Sequence, residues 1–247
     1  MSRDIDMPGG TTQSTPPASD WTTATGRWWL LLALGVVVAP SLAITGALFT
    51  AEAEETLDGF DEPVLESFTS AREPVGEWVV RVYSALGAPV FATIFTALAV
   101  AGLCVLWRSR TPFLLMLVAA TGSLTMSMTT KGLAARDRPP AVTAVGELEP
   151  SFSFPSGHAL NATIIAGVLA YLFVIRAGPR RSRRVAVVAV SLATLHVVLM
   201  GLSRVYLGQH WFTDVAVGWV MGLAWLGVVL TAHQLFLRLR ARPRRGG

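Results

Sequence analysis

"SFSFPSGHALNATIIAGVLAYLFVIR", residues 151–176, joins two kinds of sequence. Its first part gathers proline, serine, glycine and histidine. From residue 158 onward it is mostly apolar, and it runs close to the ~20 residues that a helix needs to cross a hydrocarbon core. Reading that second part as a membrane span decides the fold. The polar entrance then has two readings. Ser156 caps a helix and His158 merely sits in its first turn, or the helix start is a site for an anion.

The rest of the chain repeats the apolar pattern. The 247 residues are 52% hydrophobic and 15% charged, against roughly a quarter charged in soluble domains. Six segments are apolar enough to span: 28–50, 87–107, 112–130, 158–176, 185–202 and 213–236. The expected fold is an all-α integral membrane protein, a bundle of six transmembrane helices. The expected organisation is a disordered cytoplasmic tail over 1–26, a membrane domain over 27–237 and a basic cytoplasmic tail over 238–247. The first tail is rich in Ser, Thr, Pro and Gly. It is too long and polar for a cleavable signal, so the first span is expected to remain as an anchor. Cys104, the single cysteine, lies inside the second span and is read as a small packed residue.

Charge orients the bundle. The net charge of +4 does not point to nucleic acid, because the arginines cluster at span ends: Arg108 and Arg110, "RAGPRRSRR" at 176–184 and "RLRARPRR" at 238–245. Such juxtamembrane cations mark the cytoplasmic side. Alternate loops assigned on that basis hold 14 of the 20 basic residues inside, and 13 of the 16 acidic residues fall outside when Asp214, at the outer start of the last span, is counted with them. Both termini are expected in the cytoplasm. The loops 51–86, 131–157 and 203–212 then share the outer face. The acidic loop 51–86 reads either as surface helices shaping a lipid entrance or as solvated linker.

Basic residues on that outer face run against the bias. Lys131 is the only lysine among 20 basic residues, and a compact ammonium binds phosphate as a point charge. Arg138 follows seven residues later, about two helical turns on. Arg136 and Asp137 are read as solvated or local ion pairs. In "PSGH", Ser156 is a suitable N-cap, Gly157 lets a ligand approach the backbone, and His158 stands at a helix start whose dipole favours an anion. In "SRVYLGQHWFTD", 203–214, Arg204 can fork onto phosphate oxygens. His210 precedes Asp214 by four residues, so a carboxylate can hold one ring nitrogen and leave the other free. His196 and His233 lie within spans and are read as packing residues. Glu147 and Glu149 are read as solvating their loop.

Together these stretches resemble the signature of the type 2 phosphatidic acid phosphatase family, which shares its site architecture with vanadium haloperoxidases and bacterial acid phosphatases. "KGLAARDRP" at 131–139, "PSGH" at 155–158 and "SRVYLGQHWFTD" at 203–214 match the family pattern at every defining position. The resemblance covers roughly residues 28–236. It implies an enzyme in which His210 attacks phosphorus and becomes a phosphohistidine. Asp214 orients that ring, and His158 protonates the leaving oxygen and then helps activate water. It also implies that Lys131, Arg138, Arg204, the Ser156 hydroxyl and the Gly157 amide hold the phosphate oxygens. No metal and no cofactor are expected, since three cations and a helix N-terminus supply the positive charge.

The expected substrate is a phosphate-bearing membrane lipid reached from the bilayer, with a polyprenyl diphosphate favoured. Phosphatidic acid and phosphatidylglycerophosphate are the alternatives. A haloperoxidase is disfavoured by the spans, and a non-catalytic lipid-phosphate binding or transport protein by the presence of His210 and Asp214. The oligomeric state is open.

Overall fold

The structure, a computed structural model, describes residues 51–177 and 181–241. Among these residues all regular structure is helical: α1 (Ala51–Ser70), α2 (Pro74–Ala85), α3 (Pro89–Trp107), α4 (Thr111–Ala134), α5 (Gly157–Arg176), α6 (Ser182–Tyr206) and α7 (Phe212–Ala241), with a 3-10 turn at Ala141–Thr143. Five of them, α3 to α7, are long and apolar enough to cross a membrane. The expected first span, 28–50, and the tail 1–26 lie outside the described residues, as does 242–247.

Local chemistry explains the boundaries. Proline opens α2, α3 and α4, where its missing N–H costs nothing. The connection from α3 to α4 is tight: Arg108 turns left-handed at φ 48°, and the Ser109 hydroxyl accepts the Thr111 N–H at 3.2 Å. Helix α4 stops at Ala135, also left-handed at φ 47°, so Arg138 is not on a continuous helix with Lys131. The two still converge, by a loop rather than by helical spacing. At the other end of the bundle α7 runs on to Ala241 and carries Arg238 and Arg240 in its last turn, beside free carbonyls that favour cations. The basic tail expected from 238 therefore begins as helix.

Helix α5 is the centre of the bundle and packs against α4, α6 and α7. Leu160, Ile164, Val168 and Leu172 on α5 meet Met116 and Ala119 of α4 and Val217, Met221 and Val229 of α7. Two tryptophans of α7 lie across glycines of its neighbours. A Cβ on Gly122 would come within 2.2 Å of Trp225, and one on Gly201 within 2.4 Å of Trp219. Both indole N–H groups reach carbonyls of the helix they cover, Ala119 and Val197. Satisfying such donors within the bundle matters where no water is available. Helix α3 and much of α6 keep large apolar side chains outward, among them Leu98, Leu106, Val188 and Leu192, as suits a lipid solvent.

The acidic segment 51–86 is helical, not linker. Helix α1 packs against α6 and α7, and α2 against α6. Leu65 of α1 is buried in a small cluster with Ala159, Val205 and Val215, flanked by Val64, Phe68 and Trp219. Arg72, between α1 and α2, donates to the carbonyls of Tyr206 at 2.7 Å and Thr143 at 2.8 Å. These contacts cover the end of the bundle where α4 and α6 finish and α5 and α7 begin.

Candidate active site

At that end the chain turns three times, and each turn presents side chains to one volume. The first presents Lys131 and Arg138, which share Ser151. Lys131 Nζ lies 3.3 Å from its hydroxyl and also donates to the Phe152 carbonyl. Arg138 donates to the Ser151 carbonyl at 2.8 Å and hydroxyl at 3.2 Å, and to the Gln209 carbonyl at 2.6 Å.

The second turn ends in Ser156, which is the N-cap of α5, its hydroxyl facing the Ala159 N–H at 3.5 Å. The capping reading of "PSGH" therefore holds for Ser156. Its own N–H donates to the Asp214 carbonyl at 3.0 Å, tying the start of α5 to the start of α7. A Cβ on Gly157 would meet only Ser127 Oγ, at 3.8 Å, so there is open space beside the helix start. His158 is buried and passes so close to the α2–α3 turn that a Cβ on Gly87 would fall 2.6 Å from its ring.

The third turn runs from α6 to α7. Gly208, at φ +65°, lies so near the Thr143 carbonyl that a Cβ would come within 2.2 Å of it. The N–H groups of Gln209 and His210 both return to the Arg204 carbonyl. His210 and Asp214 are fully buried, with His210 Nδ1 3.4 Å from Asp214 Oδ2. That oxygen also receives the Trp211 N–H at 3.0 Å and the Ser153 hydroxyl. The other ring nitrogen, Nε2, faces Arg138 Nη1 at 3.4 Å. A guanidinium can only donate and a carboxylate only accept. The proton therefore belongs on Nδ1, and Nε2 carries a lone pair. Burial pushes the His210 pKa down to about 4, against the raising pull of the Asp214 hydrogen bond and charge. The ring is neutral at neutral pH.

Arg204 Nη1 donates to Ser84 of α2 at 3.0 Å, and Nη2 to Glu149 at 2.6 Å. Its buried Nε has no hydrogen-bond partner among the described residues. Glu149 was expected to solvate its loop; instead it lies among the cations. Its carboxylate also accepts from Arg138 Nη2 at 3.1 Å and stands 3.8 Å from His158 Nδ1. Burial raises its pKa, but Arg204, His158 and Arg138 lower it more, to a net value below the usual range. A cavity of about 200 Å³ opens beside these groups, lined by Arg81, Ser84, Glu149, His158, Arg204 and Gln209 among others.

All eight residues singled out in the sequence thus come to one end of the bundle. Five charged or hydroxyl residues join them besides Ser84, Ser151 and Gln209. Ser153, Glu149, Arg136 and Asp61 enter through contacts, and Arg81 through the cavity. Arg136 is neither solvated nor paired with Asp137: it bridges Asp61 at 2.9 Å and Asp214 at 3.0 Å. Its presence on a face that disfavours cations was the one available sequence signal. Asp61 lies far along the chain in α1, with no spacing that links it to α7. His196 and His233 stand apart, paired with Tyr83 at 2.9 Å and Tyr171 at 2.7 Å, as fits packing roles. Among the described residues no group of three His, Cys, Asp or Glu side chains could hold a metal ion.

The architecture and motifs have relatives. The family model of the PAP2 superfamily matches residues 110–238. Phosphatidylglycerophosphatase B of Bacillus subtilis (strain 168) is 32% identical over 182 residues, 74% of this chain and 87% of that protein. Lipid phosphate phosphatase delta of Arabidopsis thaliana is 32% identical over 83 residues, 34% of this chain and 20% of that protein. The crystal structure of a transmembrane PAP2 type phosphatidylglycerolphosphate phosphatase from Bacillus subtilis superimposes with a TM-score of 0.71 at 28% identity, covering 86% of this chain and 99% of that one. Aquifex aeolicus LpxE shares the fold, with a TM-score of 0.54 at 20% identity over 69% of this chain and 94% of that one. The three convergent turns, the apolar helices that carry them and these matches lead to one conclusion: the chain belongs to the PAP2 superfamily and is a multi-pass membrane protein.

Proposed function

We propose that this protein is a lipid phosphatase that works through a phosphohistidine on His210. The observation that carries the reading is the geometry around His210: Nδ1 lies 3.4 Å from Asp214 Oδ2, and Nε2 faces Arg138 Nη1 at 3.4 Å, which fits a neutral ring with its proton on Nδ1. A lone pair beside a phosphate-binding cation is what in-line attack requires. In the first step Nε2 bonds to phosphorus, the bond from phosphorus to the lipid oxygen breaks, and His158 passes a proton to that oxygen. In the second, water attacks phosphorus, His158 takes its proton, the N–P bond breaks and inorganic phosphate leaves. Asp214 offsets the positive charge on the ring. Arg138, Arg204 and Lys131 balance the equatorial oxygens, aided by the Gly157 amide and Ser156 at the start of α5. The unpartnered Arg204 Nε and the open space beside Gly157 support a phosphate here. Charge is supplied by side chains, so the reaction is metal-independent in this reading.

The substrate class follows from where the site lies. Its residues stand at helix ends, at headgroup depth, so a phosphate held by an apolar tail arrives along the bilayer. Phosphatidylglycerophosphate is supported by the Bacillus relatives. It carries a second anionic phosphate, as a polyprenyl diphosphate does, and Arg81 in the cavity offers a cation for it. Phosphatidic acid lacks that group. The active face is extracytoplasmic and both termini are cytoplasmic, by the charge distribution.

The test is phosphate release by purified protein, in matched micelles containing each of the three lipids, with a soluble ester as control and EDTA in parallel. The two lipids with a second phosphate are expected to turn over best, unaffected by EDTA. Equal turnover of the soluble ester would overturn the lipid reading. Full loss in EDTA, restored by a divalent cation, would overturn metal independence.

A further inference from the structure

Asp61, Arg136 and Asp214 form a buried line of alternating charge behind His210. Arg136 Nη1 donates to Asp214 Oδ1 at 3.0 Å and to Thr213 Oγ1 at 2.7 Å, while Nη2 donates to Asp61 Oδ2 at 2.9 Å. The guanidinium also lies over the Trp211 ring, 5.5 Å from its centre. Both carboxylates are fully buried. Asp61 accepts the Thr213 N–H at 2.9 Å, in the first turn of α7, and the Thr213 hydroxyl.

We propose that Arg136 and Asp61 are positioning residues for the His210–Asp214 pair, an inference that rests on the phosphohistidine reading above. Two physical points carry it. The first is direction. Asp214 gives Oδ1 to Arg136 and keeps Oδ2 for the ring, the Ser153 hydroxyl and the Trp211 N–H. The carboxylate is held on both sides and cannot rotate away from Nδ1. The second is charge. An Arg136–Asp214 pair alone would be neutral, and a neutral pair does little for a ring that becomes cationic when Nε2 is phosphorylated. Asp61 returns the buried group to a net charge of minus one. Burying three charges is costly, and replacing such clusters with apolar side chains is often neutral or stabilising, so stability alone is a poor reason to keep this one. Helix α1, which contributes none of the motif residues, thereby becomes part of the catalytic apparatus.

The competing role for Asp61 is a cap on α7, since it accepts an N–H there. Asp61→Asn separates the two, because an amide oxygen still caps but carries no charge. Phosphate release from phosphatidylglycerophosphate is measured for wild type, Asp61→Asn, Arg136→Lys, Arg136→Gln and His210→Ala, with thermal unfolding of each. The expected result for Asp61→Asn is a fall in kcat of roughly tenfold or more with KM little changed, the pattern of an interaction made in the transition state. Radioactive phosphate trapped on the protein after an alkaline denaturing quench, in which an N–P bond survives, should accumulate more slowly. Arg136→Lys keeps the charge but not the fork and should fall between wild type and Arg136→Gln. Wild-type kcat in a folded Asp61→Asn protein would overturn the proposal and leave a cap. If Asp61→Asn fails to fold, Arg136→Lys decides: lowered kcat at constant KM supports the proposal, and wild-type kcat overturns it. Activity retained in His210→Ala would instead overturn the phosphohistidine reading itself.

Discussion

His210 and Glu149 show how burial and neighbouring charge set the chemistry of single residues. His210 is held near pKa 4 because desolvation penalises its cation more than Asp214 rewards it. An NMR titration of histidine-labelled protein, assigned by difference with His210→Ala, should show that ring neutral from pH 8 down to about 5. A midpoint near the unperturbed value of about 6.5 would contradict the buried geometry. The linkage has a definite sign. The folded value is depressed, so the contribution of His210 to stability is complete above about 6.5 and is lost as pH falls through about 4. Glu149 makes the opposite kind of statement. Its charged carboxylate bridges Arg138 and Arg204, the two arginines that the proposed function assigns to phosphate oxygens. An incoming anion must compete with it. Glu149→Gln should therefore lower the inhibition constant of vanadate by about tenfold, equivalent to about 1.4 kcal/mol. An unchanged or raised constant would show that Glu149 helps bind the anion.

The turn between α6 and α7 has a backbone that only glycine suits. Gly208 has φ +65°, and a Cβ there would meet the Thr143 carbonyl at 2.2 Å. The left-handed region alone costs a residue with a Cβ about 1–2 kcal/mol, and the clash is with backbone, which cannot swing aside. Gly208→Ala should destabilise the protein by more than that. It should also lower kcat, because the turn sets the distance from His210 to Arg138. Thermal unfolding in detergent and phosphate release measure the two effects. A stable, fully active variant would mean that the 141–145 segment moves freely away from the turn. Helices α1 and α2 are the elements that hydropathy left undecided. They fold over the site because Leu65 and Val64 pack on α5–α7 residues and Arg72 ties their junction to the α6 end and the 3-10 turn.

Orientation in the membrane is a property of the whole molecule, and it determines which compartment holds the chemistry. Val142 lies near the site and is 92% exposed, and Arg184 is exposed near the start of α6, at the opposite end. In a Cys104→Ser background, Val142→Cys should react with an impermeant thiol reagent in intact cells. Arg184→Cys should react only after lysis. The reverse pattern would move the active face to the cytoplasm.

How much of this was legible before the structure follows from the range of each signal. Lipid imposes its demand on every spanning segment by itself, because each must be apolar over its own length. The five described spans could therefore be read without knowing a single contact. The spacing between His210 and Asp214, the Ser156 cap and the placement of Lys131, Arg138 and Arg204 on one face were legible for a similar reason: each lies at a span end or a few residues beyond one. Contacts between distant segments leave no such trace. The bridge from Asp61 through Arg136 to Asp214, the Glu149 carboxylate among the cations and the entry of Arg81 into the cavity arise only when α1, α2 and the 141–152 loop close over the bundle. Burial and charge in that closed space, not local sequence, decide which acidic residues are solvated and which belong to the site.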